Sequence, residues 1–135
     1  MEITTKYLGN KRFQSNQDVA TITMDAPMDM GGLGEGVGPK SLLLYGLAGC
    51  TGLDVVSILE KKNVAYDSFE ITVSAEQTAT HPKVYKTIRI TYTFQTDEAN
   101  RKDIERAITL SETTFCGVSA MLKKTANITW ELVIR

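Results

Sequence analysis

Apolar and polar residues alternate in four stretches of the chain, and a long apolar run separates the second stretch from the third. The alternation is loose over residues 2–8 and clearer over Val19-Ala20-Thr21-Ile22-Thr23-Met24. With Arg12-Phe13-Gln14 between them, these stretches predict two or three short antiparallel strands, turned at Gly9-Asn10 and ended by Pro27. Alternation is strict over Phe69–Glu76 and over Ile88–Phe94, which predicts two longer strands, each with one apolar face, joined by a hairpin loop through Thr80-His81-Pro82-Lys83. Ile104, Ala107, Ile108 and Leu110 then recur as the buried stripe of a helix that Asp97 can cap, with Ser111-Glu112-Thr113-Thr114 interrupting it. A second short helix is predicted from Phe115 to Lys124, with Val118, Met121 and Leu122 inward, and a last strand from Asn127 to Arg135. This order predicts a single α+β domain over residues 1–135, an antiparallel sheet of about six strands with helices on one face.

The apolar run is the centre of the pattern. Between Leu42 and Leu59 the only polar residues are Thr51, Asp54 and Ser57. Pro39 suits the first position of a helix, and Glu60-Lys61-Lys62-Asn63 closes one with cations near its C-terminus. A helix apolar almost all round is one that is buried, so this segment is expected to run through the core. At about 100° per residue, Cys50 shares a face with Leu43, Gly46, Leu47, Asp54 and Ser57. Gly46, Gly49 and Gly52 each cost about 1 kcal/mol against Ala inside a helix, which points to close approach of another backbone. The helix is near the length of a membrane span, but Asp54, Ser57 and the glycines argue against that use.

Composition adds exclusions. The chain has 135 residues, 42% hydrophobic and 23% charged, with a net charge of −1, so no general attraction to nucleic acid or acidic membranes is expected. Met1-Glu2-Ile3-Thr4-Thr5-Lys6 has no apolar run behind a basic start, and the expectation is a soluble, cytoplasmic protein. The stretch Gly31-Gly32-Leu33-Gly34-Glu35-Gly36-Val37-Gly38 fits neither Gly-x-Gly-x-x-Gly nor a P-loop and reads as a flexible entry loop. His81 beside Pro82 reads as a turn residue, and with that single histidine no zinc set is expected.

The two cysteines cannot form a secreted disulfide framework, which leaves two inert thiols or one redox pair. Cys50 alone reads as a small buried hydrophobe. Cys116 falls at the start of the second short helix, where partial positive charge would lower a thiol pKa; a buried helix residue is the plainer reading. They are 66 positions apart, and spacing does not establish that they meet.

The run Gly-Pro-x-x-Leu-Leu-Leu from Gly38, followed by Ala48-Gly49-Cys50-Thr51 and, near the C-terminus, Cys116-Gly117-Val118-Ser119, resembles the OsmC/Ohr family of osmotically inducible and organic-hydroperoxide-resistance proteins. The resemblance covers essentially the whole chain and implies an intertwined α+β homodimer with sites at the subunit interface. It implies that Cys50 is the peroxidatic thiol, resolved by Cys116, and that Arg12, the only arginine before residue 89, stabilises the thiolate. On it rest an organic-hydroperoxide substrate, an external thiol reductant, and no metal or other cofactor. Leu43, Leu47, Tyr45, Phe115 and Met121 are candidates for apolar surroundings that favour organic hydroperoxides. The chain departs from the family at Lys40, where a glutamate would pair with the arginine; Glu35 is the nearest carboxylate in the loop. The alternative from another class is a non-catalytic protein that holds a small apolar or electrophilic ligand in the interface pocket. The glycine line of the central helix adds its own expectation, that the Cys50 helices of two chains are buried together.

Overall fold

In a computed structural model, residues 2–17 and 20–135 are described. The chain forms two compact units, Met1–Leu43 and Leu44–Arg135. In the first, β1 (Thr4–Gly9), β2 (Arg12–Gln17) and β3 (Ala20–Asp25) form an antiparallel meander. The predicted Gly9-Asn10 turn is where it should be, with φ of 85° at Gly9 and 52° at Asn10. Tyr7 and Phe13 pair across the β1–β2 ladder, their rings 5.1 Å apart. Val19 of the second alternating stretch lies outside the described residues.

The glycine-rich segment is not the loose loop its composition predicts. It wraps a buried carboxylate: the Leu33 and Glu35 N–H groups both donate to Asp25 Oδ2, at 3.0 and 3.1 Å. The backbone passes so close to the end of β3 that a Cβ on Gly32 would sit 1.7 Å from the Ala26 carbonyl oxygen, and one on Gly36 2.6 Å from that of Thr23. Gly31 and Gly34 take φ of 89° and 71°, open to glycine without strain. The amides that would cradle a phosphate in a nucleotide-binding loop here cradle an aspartate from the chain itself. These hydrogen bonds, the Glu35 amide foremost, hold the Asp25 pKa below its ordinary 3.8.

The second unit is built on β4 (Ser68–Gln77), β5 (Tyr85–Gln95) and β6 (Asn127–Ile134), with β5 central. The single antiparallel sheet of about six strands is therefore corrected to two sheets of three, and β6 runs parallel to β5. The reason is the connection: helices occupy the link between them, and a helical crossover returns the chain in the same direction. Strict alternation over Ile88–Phe94 puts Ile88, Ile90, Tyr92 and Phe94 in the core, and an irregularity in the ladder at Glu76–Gln77 lets Tyr85 join them. Phe94 stacks on Phe69 at 4.1 Å and meets the edge of Tyr66 at 5.2 Å, which closes one end of the core with aromatic area.

Helix α1 (Leu42–Lys61) begins three residues later than Pro39 predicts. Pro39 sits in a turn instead, closed by Ser41 Oγ donating to the Gly38 carbonyl at 2.6 Å. Burial is also narrower than expected: the stripe Leu47, Thr51, Val55 and Leu59 is inaccessible, whereas Tyr45 and Leu53 stay 62% and 71% exposed. By length and composition alone the helix could cross a membrane, but its buried stripe joins the core formed with β5. Of the three glycines only Gly52 is closely approached, its ideal Cβ position lying 3.0 Å from Ile71 Cδ1.

After β5, Asp97 Oδ1 accepts from Ala99 N at 2.8 Å and caps a 3-10 turn, Glu98–Asn100, that leads into α2 (Arg101–Leu110). Ile104, Ala107 and Ile108 are buried as predicted. The Ser111–Phe115 segment does not break the helix but widens it into a π turn, with Cys116 N bonded to the Ser111 carbonyl at 2.8 Å. Helix α3 (Gly117–Leu122) follows and stops two residues short of Lys124.

Asp25→Asn is expected to lower hydrogen-exchange protection of the Leu33 and Glu35 amides at pH 6. The depressed pKa means that the wild-type carboxylate stabilises the loop fully above 3.8 and loses that effect as pH falls through the lower folded-state value. Wild-type protection should therefore drop toward the variant's only in strong acid.

Candidate functional site

The second unit brings both thiols together. Cys50, half-buried on α1, and Cys116, 3% exposed at the N-cap of α3, are both free. Their sulfurs and a carboxylate oxygen of Asp54 lie within 4.8 Å of one another. The helical repeat explains the Cys50–Asp54 pairing, since residues four apart share a face. The π turn explains the other half: its extra residue per turn sets Cys116 against α1 while keeping Ser111 buried behind it.

A chain of buried polar groups backs the cysteines. Thr51 Oγ1 is 2.7 Å from Tyr92 OH, and Ser111 Oγ is 2.9 Å from both Thr51 Oγ1 and Asp54 Oδ2. Tyr92 OH also lies 3.4 Å from Glu112 Oε1. The hydroxyls of Ser111, Thr51 and Tyr92 carry one proton each, against four contacts, so one contact goes without. Ser111 Oγ is placed to donate to Thr51 Oγ1 or to Asp54 Oδ2, and Tyr92 OH to donate to Glu112 Oε1. Burial raises the Tyr92 pKa well above its ordinary 10.0, so the phenol stays a donor.

Glu112 anchors the other side. It is 7% exposed, accepts from Ser119 Oγ at 2.8 Å through Oε2, and pairs with Lys123 Nζ at 3.3 Å. Lys123 also donates to the Glu112 carbonyl at 2.5 Å. Ser119 N donates to Cys116 Sγ at 3.3 Å, the helix-start contact expected to favour a thiolate. It does not prevail. Burial pushes the Cys116 thiol up to about 12, the adjoining Cys50 side chain and the Glu112 charge add to the rise, and the Ser119 amide only moderates it.

The remaining predicted residues separate. Leu47 belongs to the buried core. Tyr45, Phe115 and Met121 are 62%, 58% and 66% exposed and offer apolar surface in the second unit. Arg12, Glu35, Lys40 and Leu43 belong to the first unit. There Arg12 Nη1 forms an ion pair with Glu35 Oε2, and Lys40 is exposed in the turn before α1. Arg12 Nε and Asp25 Oδ1 are buried without hydrogen-bond partners among the described residues. His81 precedes Pro82 in the loop between β4 and β5, remote in sequence from either thiol.

Sequence reasoning named Asp54 without giving it a role and missed Thr51, Tyr92, Ser111, Glu112 and Ser119. Their signals were a lone threonine in an apolar run, the interrupted helix, and a serine three residues past Cys116.

A family model described as OsmC-like protein matches residues 32–131. The chain belongs to the OsmC-like family. It is 30% identical over 91 residues to Protein YhfA of Escherichia coli K12, covering 67% of this chain and 68% of that one. It also resembles the crystal structure of a hypothetical protein from Aquifex aeolicus VF5, with a TM-score of 0.82, 29% identity, and coverage of 99% and 96% of the two chains. An organic hydroperoxide resistance protein OsmC from Legionella pneumophila shares the fold at a TM-score of 0.72 and 15% identity, over 98% and 97% of the chains.

Two outcomes follow from the thiol environment. At pH 8, iodoacetamide should alkylate Cys116 at least about 100-fold more slowly in the native than in the denatured protein, read by mass spectrometry, because the reactive thiolate is suppressed. Glu112→Gln should move the Cys116 alkylation profile to lower pH by removing a charge that opposes the thiolate, and should destabilise the fold by about 1–3 kcal/mol in urea, as Lys123 loses its buried partner.

Proposed function

We propose that the protein is a thiol-dependent peroxidase that reduces organic hydroperoxides, and that Cys50 and Cys116 are its redox pair. The observation that carries this reading is the approach of the two free sulfurs within 4.8 Å, in a chain of the OsmC-like family. Their unequal exposure supports a division of labour: half-buried Cys50 can meet a substrate, and Cys116 at 3% exposure can meet only Cys50. The Cys50 thiolate attacks the distal peroxide oxygen, the O–O bond breaks, and the departing alkoxide takes a proton to leave as the alcohol. Cys50 becomes a sulfenic acid, Cys116 condenses with it to a disulfide with loss of water, and an external dithiol restores both thiols. The exposed Tyr45, Phe115 and Met121 favour an organic over an inorganic peroxide. The reading gives Arg12 the thiolate-stabilising role on the strength of the family resemblance.

The same reading includes a homodimer. Nothing among the described residues comes within 4 Å of a Cβ built on Gly46 or Gly49, and Leu53 on the same side of α1 is 71% exposed. A second copy of α1 would cover that face.

With cumene hydroperoxide and a dithiol, the reduced wild-type protein should turn over. Cys50→Ser should abolish activity, and Cys116→Ser should stop at one equivalent of alcohol with a trapped sulfenic acid. Failure of wild-type Cys50 to oxidise would leave the small-molecule-binding alternative. Sedimentation at low micromolar concentration should show a dimer. Gly49→Ala, which alone would stabilise a helix by about 1 kcal/mol, should instead weaken the dimer; a stable monomer in the wild type would remove this part of the proposal.

A further inference from the structure

We infer that Asp54 is the proton-transfer group of the resolving step: it takes the Cys116 thiol proton and passes it to the hydroxyl leaving Cys50. The inference rests on the peroxidase reading for the origin of the sulfenic acid, and concerns a step that the reading leaves without a proton path.

That step is Cys116–SH with HO–S–Cys50 giving the disulfide and water. The S–O bond at Cys50 breaks and the S–S bond forms, with the Cys116 sulfur oxidised and the Cys50 sulfur reduced. One proton must travel from Cys116 to the departing hydroxide. Bulk water is poorly placed to carry it, because Cys116 is 3% exposed. The carboxylate of Asp54 lies within 4.8 Å of both sulfurs. Burial makes the Cys116 proton hard to lose, so a fixed acceptor beside it matters.

Asp54 is held for the task. Ser111 donates to its Oδ2 at 2.9 Å, and the Ser111 hydroxyl is itself held 2.9 Å from Thr51 Oγ1 inside the core. The other groups facing Cys116 are committed elsewhere. Glu112 accepts from Ser119 and pairs with Lys123, and the Ser119 amide is a donor to Cys116. Asp54 ends the step as it began it, because the proton it accepts is handed on to form water.

No proton of the first half-reaction is assigned to Asp54, so Asp54→Asn has unequal effects on the two half-reactions, which damage to the fold would not produce. Reduced protein would be mixed with cumene hydroperoxide, quenched with acid or dimedone over time, and resolved by mass. Expected is sulfenic acid formation at close to the wild-type rate, followed by disulfide closure slower by about 100-fold, the ordinary worth of acid–base assistance. Ser111→Ala, which keeps the carboxylate but frees it, should slow closure by about tenfold. A second arm loads Cys50 with oxidised glutathione, where closure takes the same proton from Cys116 and glutathione leaves with it as the thiol. Closure by Asp54→Asn at the wild-type rate in this arm, or equal slowing of loading and closure, overturns the inference. If hydroperoxide fails to oxidise wild-type Cys50 while Asp54→Asn still slows closure of the glutathione adduct, the peroxidase reading falls and the proton role stands.

Discussion

The hydroxyl of Ser111 ties together the parts of the molecule that matter most. From the π turn it reaches Thr51 and Asp54 on α1, and through Thr51 it reaches Tyr92 on β5. Three elements distant in sequence are thereby fixed to one another by directional contacts inside an otherwise apolar core. Such a network cannot lose one member cheaply, since the partners left behind remain buried and unsatisfied. Apolar packing of Leu47, Val55 and Leu59 holds α1 within the core; the hydroxyls fix which residues of α1 face Cys116.

The two thiols illustrate how burial and local dipoles compete. A cysteine that opens a helix is commonly thought of as activated, and here the Ser119 amide does reach its sulfur. Yet the helix is six residues long, Glu112 brings a negative charge close by, and desolvation outweighs both the amide and the helix end. Protection of Cys116 from solvent and suppression of its thiolate are one physical fact.

Much of the fold was legible because Phe69–Glu76 of β4 and Ile88–Phe94 of β5 alternate strictly, and the stripe of α2 has clean helical spacing. The direction of β6 was not, since alternation reports a face and carries no sense of direction. The extent of α1 burial was misjudged for a related reason: apolarity shows that a surface must be covered and says nothing of what covers it. The glycine-rich stretch was rightly denied a nucleotide, but its occupant, Asp25, precedes it by six residues and carries no signal of its own in a strand end. Within the site, the cysteines drew attention by rarity. Glu112 and Ser111 did not, because polar residues at a helix interruption normally face water, and only the π turn makes them face inward.

That turn also sets a limit on how the chain can vary. A π turn amounts to one residue inserted into an α-helix, and an ordinary helix rotates about 100° per residue. Removing one residue between Glu112 and Thr114 would restore regular helical hydrogen bonds and give a locally better helix. It would also rotate Cys116 by that angle relative to α2 and separate it from Cys50. The most regular version of this segment is the one without a dithiol, so the irregularity is kept against the helix's own preference.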